Sequence, residues 1–217
     1  MKLRIMPTLK RMIIMNLSLD TSRVIGLYAP QKYGKTTITH YILEEYAKHI
    51  DTYLYDTDKE RYKSYYDIKG LKFIYTKKPS DMEKQKAFND VILAFRSKYS
   101  NCILAIEDID KIIQSKIKTK DTLEIYSLAS DSRHSRTAIL YISKTPSYIP
   151  TTLRLNTNLF FFGKFVEPSF VKWITAIIPK EVYAKIKKPQ FVMFDVWNAE
   201  YAIVQYDINK NKLIQIG

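Results

Sequence analysis

A chain of 217 residues with 46% hydrophobic content can bury one substantial core, which excludes a disordered polymer. Its 35 Lys and Arg against 22 Asp and Glu leave a net charge of +13, which points to a polyanionic partner, nucleic acid first, or else to solvated surface charge. The single cysteine, Cys102, excludes an intramolecular disulfide, and no stretch approaches the ~18 apolar residues of a membrane span, so a soluble, unsecreted protein is expected.

Residues 1–22 read as an N-terminal extension with a break at Met6-Pro7 and a candidate edge strand over 12–17. Residues 23–217 read as one domain. The apolar run from Arg23 to Leu27 predicts a buried strand, and Ile38, Ile42 and Tyr46 mark one face of a helix over 35–48. Between them lies Tyr28-Ala29-Pro30-Gln31-Lys32-Tyr33-Gly34-Lys35-Thr36-Thr37. Strand, loop, Gly-Lys-Thr and helix form the context of a phosphate-binding P-loop. Backbone N–H groups of such a loop and of the first helical turn cradle phosphate oxygens. Lys35 then reaches the β- and γ-phosphates, and the Thr36 hydroxyl is a ligand for Mg²⁺. Ala29 stands where a leading glycine is usual, which is tolerable if φ stays negative there.

Strands are expected next over 51–56 and 71–75. Ser80 and Glu83 have the spacing of a capping box, and Phe88, Val91, Ile92, Phe95 and Tyr99 then repeat at helical spacing. Cys102-Ile103-Leu104-Ala105-Ile106 is a buried parallel strand that delivers Glu107 and Asp108 to its end, with Asp110 close by. This is the form of a Walker B element. One carboxylate holds Mg²⁺ and the other orients or deprotonates the attacking water; we assign the metal side to Glu107 and the water side to Asp108. A lysine-rich loop over 111–120 and a helix over 122–130 lead to Ser132-Arg133-His134-Ser135-Arg136. Arg133 and Arg136 are candidates for an arginine finger reaching a neighbouring subunit's γ-phosphate, or for surface charge; His134 reads as a packed or capping residue. Strands over 137–142 and 159–162, helices over 167–178 and 180–187, and a closing hairpin over 191–196 and 201–206 complete the chain. Alternating strands and helices predict an α/β fold with a mostly parallel central sheet flanked by helices and a C-terminal β-hairpin.

These residues resemble the HerA/FtsK superfamily of P-loop ATPases, in particular the DNA-packaging ATPases of archaeal viruses and the poxvirus type. The resemblance rests on 29–37, 103–108, Arg133-His134 before a strand, Ile149-Pro150 after it, and the tail from Glu167-Pro168 through 196. It spans roughly residues 23–197. It implies a RecA-like ATPase core using ATP and Mg²⁺ that forms a homo-oligomeric ring on viral capsid or vertex proteins. Such a ring moves double-stranded DNA into a preformed capsid, in the host cytoplasm or on the virion. The resemblance carries Lys35 and Thr36 over as phosphate and metal contacts, Glu107 and Asp108 as the acidic pair in swapped order, and Arg133 as the trans-acting finger. The family's sensor, typically glutamine, falls at Ser143 here, with Thr145 nearby. Lys111, Lys116, Lys118, Lys120, Lys185, Lys187 and Lys188 are candidates for phosphate-directed DNA contacts or for solvated surface. An AAA+-like replication or loading ATPase, a nucleoside or nucleotide kinase, and a non-hydrolysing nucleotide-gated module stay open beside this reading.

Overall fold

The computed structural model describes residues 20–56, 63–75, 81–113 and 123–216. The extension expected before residue 20, the Ser80 cap and Lys116, Lys118 and Lys120 lie outside them. The strands are β1 (Val24–Tyr28), β2 (Asp51–Asp56), β3 (Leu71–Tyr75), β4 (Cys102–Ile106), β5 (Thr137–Ser143), β6 (Leu159–Phe162), β7 (Phe191–Asp195), β8 (Glu200–Asp207) and β9 (Lys212–Gln215). The α-helices are α1 (Lys35–Ala47), α2 (Asp81–Lys98), α3 (Leu123–Ser130), α4 (Ser132–Ser135), α5 (Thr151–Asn156), α6 (Pro168–Thr175) and α7 (Lys180–Lys185).

All nine strands join one sheet in the order β3-β2-β4-β5-β1-β6-β7-β8-β9. The first six are parallel and the last three antiparallel. The central strands are buried on both faces, so their apolar residues run without interruption yet divide by parity. Val24 and Tyr28 of β1 with Cys102, Leu104 and Ile106 of β4 face a core that includes Phe88, Ile92 and Phe95 of α2. Ile25 and Leu27 with Ile103 and Ala105 face the opposite core, built on α1.

Helix α1 buries the face expected of it, and more. Ile38, Ile42 and Tyr46 are buried as expected, and Tyr41 and Leu43 extend that face to rather more than half of the helix, while Thr36, Thr37, His40 and Glu44 stay outside it. So wide an apolar face needs cover on its flanks as well as beneath. The cover comes from both ends of the sheet, because α1 touches β3 at one edge and β9 at the other. Nine flat strands would span about 38 Å at ~4.8 Å each, whereas a 13-residue helix is only about 20 Å long. The sheet therefore curls around α1. Tyr206 of β8 closes part of the gap, its ring 6.2 Å from that of Tyr41.

Three other expectations change. The C-terminal hairpin continues into a third strand, β9, through a turn at Asn211 with φ +47°. Helices α6 and α7 are shorter than 167–178 and 180–187, ending at Thr175 and Lys185. His134 is exposed rather than packed. Cys102 is a buried core residue, as expected. No helix among the described residues is long and apolar enough to cross a membrane.

Candidate functional site

Strand β1 ends at Tyr28, and the chain turns through Ala29, Pro30, Gln31, Lys32 and Tyr33 into Gly34. Gly34 caps α1 with φ +96°, a left-handed conformation that glycine adopts without a Cβ penalty. Lys32 also takes a left-handed φ of +58°. Such reversals turn successive N–H groups toward one side, as anion binding requires. Ala29 keeps a negative φ, so its methyl group adds no backbone strain. Space is tight there for another reason. Gly163, just past β6, donates its N–H to the Tyr28 carbonyl at 2.7 Å, and a Cβ on it would stand 2.6 Å from that of Ala29. Only a residue without a side chain lets β6 brace the loop so closely.

Gln31, Lys32, Thr36 and Thr37 are exposed, whereas Tyr33 turns inward, edge-on to Phe191 at 5.2 Å. The Tyr33 ring is thus an anchor for the loop, and only its backbone faces the phosphate side. Lys35 is buried, and its Nζ donates to the carbonyls of Ala29 at 2.6 Å and Pro30 at 2.7 Å. Burial first and then the nearby Lys144 cation lower its pKa from 10.5 to about 8, against the pull of Asp108, Glu107 and Asp110.

The acids arrive from β4. Strand β5 lies between β1 and β4, with Tyr28 beside Ser143 and Ile106 beside Tyr141, so all three strands open at one edge. Glu107 and Asp108 are both buried. The Tyr65 hydroxyl donates to Glu107 Oε1, and burial followed by the Glu107 charge holds that phenol well above its usual range. Asp108 has φ +44°, a left-handed conformation that costs a non-glycine residue about 1–3 kcal/mol and concentrates at functional sites. Its Oδ2 accepts from Lys111 Nζ at 2.9 Å and Lys144 Nζ at 3.0 Å. Asp110 has a buried Oδ1 with no hydrogen-bond partner. Burial, then the Asp108 charge, raises its pKa.

Ser143 is fully buried, and its Oγ accepts the Thr145 N–H at 3.0 Å. Its carbonyl accepts the Ala29 N–H at 3.3 Å, which ties β5 to the loop. Beside Thr36 and Thr37 a cleft of about 310 Å³ runs along α1, lined also by His40, Ser64, Asp67 and Tyr206. His40 Nε2 lies 2.9 Å from Asp67 Oδ1, and its ring stacks on Tyr65.

The structure does not bring Arg133 to this edge. It precedes β5, at the other end of the parallel strands from the loop, about 20 Å of strand away at ~3.3 Å per residue. There it is exposed, its guanidinium 5.1 Å from the Trp197 ring centroid. Arg23 shares the same ring at 4.1 Å and pairs with Asp195 at 3.1 Å. Arg133 therefore cannot serve its own subunit's loop. Sequence reasoning missed Tyr65 and Lys144, which carry no local pattern.

The donor set suits Mg²⁺. Thr36 offers a hydroxyl, Glu107, Asp108 and Asp110 offer hard carboxylate oxygens, and the orphaned Asp110 Oδ1 lacks a partner. No cluster of three or more acidic, histidine or cysteine ligands occurs among the described residues. Magnesium commonly needs none, taking one or two protein oxygens with phosphates and waters.

The model of the family "ATPase family associated with various cellular activities (AAA)" matches residues 25–162, from β1 through β6. No curated protein sequence matches the chain. Among solved structures, the DNA-packaging ATPase B204 from Sulfolobus turreted icosahedral virus aligns with TM-score 0.67 and 19% identity, over 85% of this chain and 97% of that one. The genome packaging NTPase B204 from Sulfolobus turreted icosahedral virus 2, in complex with ATP-γS, aligns with TM-score 0.69 and 18% identity over the same shares, 85% and 97%. The conjugation coupling protein TcpA of pCW3 aligns with TM-score 0.61 and 14% identity, over 90% of this chain and 64% of that one. At these identities the likeness is one of fold, the α/β P-loop NTPase fold.

Proposed function

We propose that this chain, which belongs to the ATPase family associated with various cellular activities (AAA), is the motor subunit of a ring that uses ATP and Mg²⁺ to drive double-stranded DNA. The most specific form of the reading is genome packaging into a preformed viral capsid, with capsid or vertex proteins as docking partners. It acts in the host cytoplasm or on the virion. One observation carries it. Lys35, Thr36, Glu107 and Asp108 lie at one end of the parallel strands, while an exposed arginine, Arg133, stands at the opposite end. A head-to-tail neighbour would bring that arginine to the first subunit's nucleotide. The net charge of +13 and the packaging roles of the B204 proteins support DNA as the partner.

In this mechanism the backbone of Ala29–Thr37 holds the phosphates and Lys35 neutralises the β- and γ-groups. Thr36 and Glu107 would hold Mg²⁺, whose charge offsets that of the phosphates. Asp108 orients the attacking water and accepts its proton. The new P–O bond forms as the bond to the β-phosphate oxygen breaks, and ADP leaves with the electron pair. Arg133 of the next subunit stabilises charge on the transferring group. Ser143 ties the loop to β5 beside these residues.

The AAA+-like loading ATPase is the second reading. That class has a helical lid after its core, however, whereas β6 here leads into two short helices and three strands of the same sheet. The test is ATP hydrolysis with and without long double-stranded DNA, in the wild type, Lys35→Ala and Arg133→Ala. DNA-stimulated turnover lost in both variants, with ATP binding kept in Arg133→Ala, is the expected result. Turnover indifferent to DNA but responsive to a nucleoside would replace the motor by a kinase.

A further inference from the structure

We propose that Lys144, and not Ser143, is the side chain that meets the γ-phosphate from the end of β5. The inference rests on the nucleotide-site reading above. Because β5 lies between the loop strand and the acidic strand, the residues at its end enter the space between Lys35 and Asp108. Two residues compete for that place. The Ser143 hydroxyl is fully buried and committed to the Thr145 N–H, so it holds the turn rather than facing a ligand.

Lys144, one residue on, reaches the acids. Its Nζ lies 3.0 Å from Asp108 Oδ2, and its side chain is 32% exposed, so it is open to the site. It also stands close enough to Lys35 for each cation to feel the other. Two ammonium groups converging beside a phosphate-binding loop repel each other; Asp108 offsets part of that, and a γ-phosphate between them would offset more.

Asp108 Oδ2 receives two lysines at once, Lys111 and Lys144. One is enough to balance a single buried carboxylate, so Lys111 keeps Asp108 paired when Lys144 turns away. The four-carbon stem of a lysine gives that freedom. In this structure Lys144 rests on Asp108. With ATP bound it moves to a γ-phosphate oxygen, and Asp108, still paired with Lys111, has one cation fewer beside the water it orients. ADP has no γ-phosphate and leaves Lys144 where it is. Lys144 thus distinguishes ATP from ADP within one subunit.

The experiment compares Lys144→Ala and Lys144→Arg with the wild type. It measures steady-state hydrolysis and, separately, equilibrium binding of ATPγS and of ADP. Lys144→Ala is expected to lower kcat about 10²- to 10³-fold, the usual effect of removing one charge-stabilising donor. ADP affinity should hold while the preference for ATPγS over ADP narrows. Lys144→Arg, which keeps the charge, should restore part of kcat. A kcat within twofold of wild type in Lys144→Ala would overturn the proposal. So would an equal loss of ATPγS and ADP binding, which marks a structural role. Lys35→Ala is run in parallel; if it binds and hydrolyses ATP normally, the nucleotide-site reading itself fails, whatever Lys144 does.

Discussion

Lys35 holds its charge at a cost until an anion arrives. Burial brings its pKa from 10.5 down to about 8, so in the nucleotide-free protein it loses its proton as pH rises through about 8. For this group alone, the folded protein gains stability as pH rises from about 8 toward 10.5, the reverse of an ion-paired lysine. ATP binding needs the charged form. Affinity should stay level up to about pH 8 and fall above it, by as much as about tenfold per pH unit, with proton uptake on binding. Calorimetric titrations in buffers of different ionisation heat read both effects; level affinity to pH 9.5 without proton uptake would mean that Lys35 does not bind phosphate. Tyr65 makes a second residue-scale prediction. Tyr65→Phe removes the hydroxyl that holds Glu107 and should lower kcat about 10- to 100-fold with nucleotide affinity unchanged, as measured by hydrolysis beside fluorescent-nucleotide binding. The two halves of the site differ in how far sequence reveals them. Lys35, Thr36, Glu107 and Asp108 stand in local patterns, at a loop end and a strand end. Tyr65 sits in a polar, tyrosine-rich segment, and Lys144 is one of 35 cations; only the order of strands singles either out.

Among elements, α1 carries the most. Ile42 is fully buried between the helix and the sheet. Ile42→Ala should destabilise the fold by about 2–5 kcal/mol, read as a lowered urea midpoint, and a saturating ATP analogue should restore part of it. The central strands are legible because burial on both faces leaves continuous apolar runs, as in Ile139-Leu140-Tyr141-Ile142. Strand β9 is not, because Lys212–Gln215 is four residues long and buries only Leu213. Helix α5, with Leu153 its one buried residue, escapes for the same reason. Short elements gain their structure from partners already in place, and no periodicity develops over four to six residues.

At the scale of the whole molecule, the loop and Arg133 lie at opposite ends of the parallel strands, so in the proposed ring one subunit would offer a nucleotide and the next an arginine. Such contacts are heterologous and close only as a ring. Mixing two inactive variants tests the arrangement. Lys35→Ala and Arg133→Ala subunits, each inactive alone, would together form some interfaces with an intact loop and an intact arginine. Random one-to-one mixing makes about a quarter of interfaces complete, so turnover should reappear on mixing. Continued silence of the mixture, with both variants folded and able to assemble, would argue against shared sites. DNA binding by such a ring should weaken steeply with added salt and show little sequence preference, as measured on unrelated long duplexes.

The curl of the sheet around α1 also sets an order of events during synthesis. Residues 35–47 emerge early, but β9, part of their cover, lies roughly 165 residues further along the chain. Until β9 is made, the helix that follows the phosphate loop is a finished sequence in an unfinished enclosure. Contacts so distant along the chain form late and slowly. A nascent chain stalled before β9 would hold every recognisable motif of an ATPase and still lack the sheet edge that seats its first helix.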